Sequence, residues 1–233
     1  MNPKKLFKEL YSVYGLQNWW PVTGKEKTIP EYKKRTKLTE KQKLEICFGA
    51  ILTQNTSWKN VEKAIIELNK ENLINAEKIV LIKKQKLAEL IKSVGYFNQK
   101  AVYLKEFCKH LEKFNYSLNS FFAVFDLRKE LLSVKGIGKE TADSILLYSV
   151  QKPFFVVDAY TKRIMERITG KEENDYDKLQ GFFHSRLEHD ALLFNEFHAL
   201  FVEHAKNFCR KKPLCSNCFL KKQCFHGKQF ILK

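Results

Sequence analysis

The sequence predicts an all-α protein built from many short helices. Apolar residues recur three and four positions apart in segments such as "EKAIIELNKEN", "KQKLAELIKSVG" and "KAVYLKEFCKHLEKF". The one segment of strand-like composition, "KPFFVVDAY" at residues 152–160, is too short to found a sheet. No internal repeat and no long Gly/Ser linker interrupts the pattern. The 233 residues are enough for one large or two small helical domains with a normal core.

The first strongly buried helix is predicted within "LTEKQKLEICFGAIL", residues 38–52. Thr39 is placed to cap it and Gln42 to complete a capping box. The residues that follow are apolar almost all round, which is typical of a central helix. By contrast, residues 23–37 are polar and basic and contain Pro30, so they predict a surface loop.

The charge of the chain favours a polyanionic partner. Lys and Arg number 42 against 26 Asp and Glu, a formal charge of +16. Nucleic acid is the first candidate and an anionic membrane the second, while a lysine-rich proteome bias is an alternative cause. The N-terminus lacks the apolar core of a signal peptide, and no run of eighteen apolar residues occurs. We therefore expect a cytoplasmic, nucleoid-associated protein with no membrane partner.

Four cysteines near the C-terminus follow the spacing C-x5-C-x2-C-x5-C. They are Cys209, Cys215, Cys218 and Cys224. In a reducing compartment such a cluster indicates a metal site and not disulfides. Four thiolates suit zinc or an iron–sulfur cluster, and the spacing does not decide between them. Cys47 and Cys108 stand alone in apolar patterns and are expected in the core.

The segment "LLSVKGIGKETADSIL", residues 131–146, predicts two helices joined by a tight turn. Gly136 and Gly138 permit that turn, and the amides that open the second helix can bind an anion. This is the pattern of a helix–hairpin–helix, which grips a DNA phosphate without reading sequence. An ordinary turn between two helices is the alternative on these residues alone.

Asp158 follows four apolar residues and lies eighteen positions after Glu140. Partial desolvation of its carboxylate would raise its pKa and strengthen it as a base. Its position equally suits the N-cap of the helix "AYTKRIMERI", and one aspartate could fill both roles.

The sequence resembles the endonuclease III superfamily of DNA glycosylases from about residue 38 to residue 225. In that superfamily the hairpin, the aspartate and the four cysteines occur in the same order. Two further segments match, "ILTQNTSWKNV" and "VGYFNQKA". The resemblance implies a six-helix barrel domain over residues 38–152 and a helical domain built from residues 1–37 and 153–233. It also implies that the cysteines hold a [4Fe–4S] cluster, although five residues separate Cys209 from Cys215 where the family usually has six. The DNA-contacting residues implied are Gln54, Asn55, Tyr96, Gly136, Gly138, Lys139 and Thr141.

The residue directly before "TA" bears on the reaction. Bifunctional members of the superfamily use a lysine there to form a Schiff base, whereas this chain has Glu140. Lys139 is one residue away, which on a helix is about 100° of rotation. The resemblance therefore implies a monofunctional enzyme, without AP lyase activity, in which Asp158 activates water or stabilises the developing sugar cation.

The segment "NWWPVTG" points to the substrate. A similar W-W-P segment and an aromatic after "LTQNT" occur in the 3-methyladenine DNA glycosylase III branch, whose known type lacks the cysteines. By that resemblance Trp20 and Trp58 would sandwich a flipped base, with Pro21 and Glu140 lining the pocket. Hydrophobic anchoring by the tryptophans is the alternative.

The expected function is base excision repair by hydrolysis of the N-glycosidic bond of alkylated purines such as 3-methyladenine. The expected partner is double-stranded DNA with a damaged base, bound by a monomer. Two rival hypotheses remain: a uracil, thymine-mismatch or other damaged-base glycosylase, with or without lyase activity, and a non-catalytic DNA-binding module with a structural metal.

Overall fold

The computed structural model describes residues 2–33 and 37–229, and these form two compact units. Of the described residues, 2–17 and 152–229 form the terminal unit, and 18–33 and 37–151 form the central unit. The described residues are mostly helical and include only two short strands, so the predicted all-α class is confirmed. Residues 18–33, which the sequence analysis assigned with the chain ends, belong to the central unit because Thr23 hydrogen-bonds Glu45 of its central helix.

The central unit contains eight α-helices among its described residues. They are α2 (Glu40–Leu52), α3 (Trp58–Lys70), α4 (Ala76–Leu81), α5 (Lys84–Leu90), α6 (Phe97–His110), α7 (Leu118–Phe122), α8 (Leu127–Leu132) and α9 (Lys139–Ser144). Short 3-10 turns cover Lys92–Val94 and Leu111–Phe114, and α9 continues as a π-helical segment, Ile145–Ser149. The loop predicted over residues 23–37 contains part of a small sheet, in which β1 (Val22–Thr23) pairs antiparallel with β2 (Pro30–Glu31). Residues 34–36 lie outside the described part.

Helix α2 is the centre of this unit, as its sequence predicts. Thr39 and Gln42 form the expected capping box. Every residue from Leu44 to Leu52 is buried, so the helix presents no solvent face along this stretch. It packs against α3, α6 and the segment Ile145–Ser149.

The terminal unit contains α1 (Pro3–Tyr14), α10 (Ala159–Thr169), α11 (Tyr176–His184), α12 (Ala191–Asn207) and α13 (Phe225–Lys228), with a 3-10 turn at Cys215–Asn217. Helix α12 packs against α1 and α10. The core of the terminal unit is rich in phenylalanine, and Phe155 and Phe183 stack with ring centroids 3.8 Å apart. Within the segment of strand-like composition, residues 152–158 form neither helix nor strand. They bury Phe155, Val156 and Val157 and place Asp158 directly before α10, which begins at Ala159.

None of the described helices is long and apolar enough to cross a membrane.

Candidate functional site

An aromatic group in the central unit brings together two of the predicted pocket residues, Trp20 and Trp58. Their ring centroids lie 5.1 Å apart with an interplanar angle of 86°. The ring centroid of Trp19 lies 5.3 Å from that of Trp58, and the ring centroid of Tyr148 lies 5.1 Å from that of Trp20. Pro21, which follows directly, is buried.

The arrangement of these rings differs from the expected sandwich. Two rings that hold a base between them would be parallel and about 7 Å apart, twice an optimal carbon–carbon contact. Trp20 and Trp58 instead meet edge to face, the geometry that ring quadrupoles favour when the rings contact each other directly. One indole must rotate before a base can enter between them.

Trp20 is seated against the one glycine of α2. A Cβ built at Gly49 would lie only 2.9 Å from Cζ2 of Trp20, so the bare backbone provides the space for the indole. Glu45 fixes the position of Thr23, three residues after Trp20, by hydrogen bonds. Its Oε1 accepts hydrogen bonds from the amide and hydroxyl of Thr23, at 2.7 and 3.0 Å, and its Oε2 accepts one from Asn69 at 2.9 Å.

Glu45 was not identified by sequence reasoning, although an acidic residue inside the apolar run "LEICFGAIL" is the signal that could have found it. It is 2 % exposed. Burial raises the pKa of Glu45 despite the hydrogen bonds that favour its charged form. A buried carboxyl that accepts three hydrogen bonds fixes the segment that contains Trp19 and Trp20.

The hairpin is formed by α8, the turn at residues 133–138 and α9. Gly136 has a φ of 91°, and a Cβ there would come within 2.2 Å of the Tyr103 ring, so both the conformation and the space require glycine. Arg128 of α8 makes two hydrogen bonds to Asp143 of α9, at 2.6 and 3.0 Å, and Asp143 is fully buried. This bidentate pair fixes one helix of the hairpin against the other.

The residues that open α9 face solvent. Gly138, Lys139 and Glu140 are exposed, whereas Thr141 is 5 % exposed. Glu140 is therefore a surface residue of the first turn of α9. Lys139, the neighbouring position, points in a different direction around the helix.

Gln54 contacts the hairpin directly. Its Nε2 donates to the carbonyl oxygen of Gly136 at 2.8 Å and to the hydroxyl of Thr141 at 3.1 Å. Gln54, one of the residues expected to contact DNA, is thus hydrogen-bonded to the hairpin. Asn55 and Tyr96 are exposed and have φ values of 53° and 45°. Left-handed backbone at a non-glycine residue is typical of functional loops.

Asp158 is the N-cap of α10 in the terminal unit. Its Oδ1 accepts a hydrogen bond from the amide of Thr161 at 2.7 Å, and its Oδ2 lies 3.7 Å from Nε2 of His198 on α12. The side chain of Asp158 is 13 % exposed. Both roles predicted for this position are therefore compatible, since one oxygen caps the helix while the other faces the imidazole.

The expectation of a raised pKa at Asp158 is wrong. Burial alone would raise the pKa, but His198 and the Thr161 amide together outweigh it and hold the pKa of Asp158 below its ordinary value. The carboxylate is therefore charged at neutral pH. Sequence reasoning missed His198 because it lies forty positions away on another helix.

The four C-terminal cysteines line one cavity of the terminal unit together with apolar residues such as Ile164, Ile168 and Leu220. Arg167 Nη1 donates to Sγ of Cys209 at 3.3 Å, and the amide of Gly227 donates to Sγ of Cys224 at 3.4 Å. Burial raises the pKa of Cys218 to about 11. Among the described residues no three His, Cys, Asp or Glu side chains converge on a single-ion site. The donor set is soft, the cavity is apolar and two sulfurs accept N–H hydrogen bonds, so the residues present fit an iron–sulfur cluster.

Comparison with known proteins assigns the chain. A family model described as "HhH-GPD superfamily base excision DNA repair protein" matches residues 48–189, which include α3 to α11 and both Gln54 and Asp158. The chain belongs to this superfamily. It is therefore a DNA glycosylase of base excision repair, and the predicted resemblance to the endonuclease III superfamily is confirmed.

Three known proteins are similar to the chain over most of its length. The Methanocaldococcus jannaschii protein named "Putative DNA repair glycosylase MJ1434" is 45% identical over 94% of each chain. The crystal structure of the H. pylori 3-methyladenine DNA glycosylase (MagIII) bound to 1,N6-ethenoadenine is 30% identical, with a TM-score of 0.72, over 88% of this chain and 98% of that one. An endonuclease III in a non-covalent complex with DNA has a TM-score of 0.77 over 99% of this chain and 97% of that one, at 18% identity. This last likeness confirms the fold.

Proposed function

We propose that this glycosylase is monofunctional and releases alkylated purines such as 3-methyladenine from double-stranded DNA. The observation that carries the proposal is the group formed by Trp19, Trp20, Trp58 and Tyr148. The likeness to a 3-methyladenine DNA glycosylase along nearly its whole length supports the same substrate class.

Aromatic rings select a cationic base for a physical reason. An N-methylated purine carries delocalised positive charge, and an indole face attracts a cation by about 0.5–2 kcal/mol. Nε1 of Trp58 is buried and has no hydrogen-bond partner among the described residues. A buried donor without a partner is costly, so a base that offers an acceptor would gain from entering this group.

Asp158 would act on the sugar. The carboxylate is charged at neutral pH, so it can stabilise the positive charge that develops at C1′ as the N-glycosidic bond breaks. The bond's electron pair leaves with the purine, which becomes neutral. Water then adds to C1′ and gives up its proton. Because its lowered pKa makes Asp158 a weak base, charge stabilisation is better supported than activation of the water.

The absence of lyase activity follows from Glu140. A Schiff base needs an amine at the reacting sugar, and the lysine of bifunctional enzymes is replaced here by a carboxylate. Borohydride added during turnover should trap no covalent protein–DNA adduct, and strand cleavage should need alkali. An adduct that disappears in Lys139→Ala would show that Lys139 reaches the sugar and would refute the monofunctional assignment.

We further propose that Cys209, Cys215, Cys218 and Cys224 hold a [4Fe–4S] cluster. Such a cluster would supply structural order to residues 209–224, where the cationic side chains Arg210, Lys211, Lys212, Lys221 and Lys222 are concentrated. The purified protein should contain about four irons per chain and should absorb broadly in the visible range. One zinc and no colour, after expression with adequate iron, would refute the cluster.

The substrate proposal is tested by the bases released from methylated DNA. The purified monomer should release 3-methyladenine, identified by chromatography, and Asp158→Asn should release none while still binding lesion DNA. Release of no alkylated base by the wild-type protein would refute the proposal. Release unchanged in Asp158→Asn would refute the role of this carboxylate.

A further inference from the structure

Lys100 is an unusual cation in the core of the central unit. It is 2 % exposed and lies in the first turn of α6. Its ammonium donates to two backbone carbonyls, those of Leu52 and Val94, both at 2.9 Å. Burial lowers the pKa of Lys100 to about 8, so the group is charged at neutral pH and depends on these carbonyls for its solvation.

The two carbonyls belong to the ends of two helical segments. Leu52 is the last residue of α2, and Val94 is the last residue of the turn Lys92–Val94. Terminal carbonyls have no partner within their own helix, and the negative end of the helix dipole attracts a cation. Each carbonyl lies two residues before a residue expected to contact DNA, the half-buried Gln54 in one case and the exposed Tyr96 in the other.

The same helix also contacts the hairpin. Tyr103 lies three residues after Lys100, on the same face of α6, and its ring packs on Gly136 so closely that a Cβ there would clash at 2.2 Å. Gln54 completes the connection, because it hydrogen-bonds Gly136 and Thr141. One face of α6 is therefore in contact, directly or through Gln54, with all three segments assigned to DNA.

We propose that Lys100 is a positioning residue for DNA interrogation, which holds the Gln54 loop and the Tyr96 loop in the register needed to enter a duplex together. This inference rests on the proposed assignment of those loops to DNA. Lys100 itself does not contact the nucleic acid, since it is buried beneath both loops.

A matched pair of variants on one helix tests the proposal. Lys100→Met keeps the apolar stem and removes the charge. Lys105→Met makes the same change five residues later, where Nζ donates to the carbonyls of Ile79 and Val80, at 2.9 and 2.6 Å, at the end of α4. The probe is a duplex that contains a tetrahydrofuran abasic analogue with 2-aminopurine in the opposite strand, whose fluorescence rises when it is unstacked.

Lys100→Met should lose most of the fluorescence rise and about tenfold in affinity, the low end of what one stacked base contributes. Lys105→Met should keep both, at a temperature where circular dichroism shows each variant folded. A full fluorescence rise in Lys100→Met would overturn the inference alone. A wild-type protein that binds the duplex without unstacking the probe would overturn the loop assignment and the inference with it.

A second variant covers the case in which Lys100→Met does not fold. Ser93 Oγ donates to the carbonyl of Asn60 at 2.8 Å and so ties the turn before Tyr96 to α3. Ser93→Ala removes this connection between the turn before Tyr96 and α3, the helix that follows the Gln54 loop, and should lose part of the fluorescence rise. If Ser93→Ala keeps the wild-type signal while Lys100→Met is unfolded, the positioning role is refuted and Lys100 serves stability only.

Discussion

Replacement of Gly49 by alanine would test whether the bare backbone of α2 seats the Trp20 indole. The added Cβ would lie 2.9 Å from Cζ2 and 3.1 Å from Nε1 of Trp20, closer than such contacts normally are. Alanine in a helix interior stabilises by about 0.5–1 kcal/mol relative to glycine. Overpacking a filled site costs about 1–3 kcal/mol. The free energy of unfolding of Gly49→Ala should therefore fall by roughly 0–2.5 kcal/mol.

Gly181→Ala is the matched control. Gly181 lies in α11, and a Cβ built there meets no atom within 4 Å, so only the helix-propensity gain of about 0.5–1 kcal/mol is expected. The difference between the two variants isolates the overpacking cost, about 1–3 kcal/mol. Urea denaturation at fixed pH measures it. Single-turnover base release should be reduced in Gly49→Ala, because the displaced indole no longer fits the base, and unchanged in Gly181→Ala.

Equal stability of the two variants would refute this reasoning, because it would show that Trp20 moves away at no cost. Reduced stability with full base release would separate the two claims. In that case the seat is real, but Trp20 does not contact the substrate.

Three further predictions concern other parts of the molecule. Arg128→Met should lower the free energy of unfolding by about 3 kcal/mol in urea denaturation, because it removes the bidentate partner of the fully buried Asp143. A loss below about 1 kcal/mol would show that this pair does not fix the two helices of the hairpin against each other. A rate that needs the Asp158 carboxylate rises with pH through the pKa of that group. Because His198 lowers this pKa, His198→Ala should raise it and move the acid limb of the single-turnover pH profile to higher pH. An acid limb at the same pH in the variant would show that His198 does not set the pKa. The logarithm of the DNA association constant should fall with the logarithm of salt concentration at a slope of about −3 or steeper, as expected for three or more phosphate contacts, and a nearly flat dependence would refute the assignment of the basic residues to DNA.

Local signals predicted the parts of the fold that local chemistry determines. The capping box at Thr39 and Gln42 and the buried helix that follows it both occur as predicted. The N-cap role of Asp158 was likewise visible in sequence, because a cap depends on residues one turn away.

The parts that sequence reasoning missed depend on contacts between distant residues. His198 reverses the expected pKa shift of Asp158 from a different helix. Glu45 binds Thr23, which is twenty-two positions away, and Lys100 binds Leu52 across forty-eight positions. No periodicity or motif encodes such pairings. The tryptophans could be grouped by motif, but their edge-to-face geometry depends on the packing around them.

The most direct test of the account is a comparison of base-release rates from matched duplexes under single-turnover conditions. One duplex contains 3-methyladenine and the other uracil opposite guanine, at the same position and in the same sequence. The aromatic group of the central unit predicts faster release of 3-methyladenine, since the cationic base gains attraction from the indoles and is the better leaving group. Faster release of uracil would contradict the alkylpurine proposal and would favour a mismatch glycosylase on the same fold.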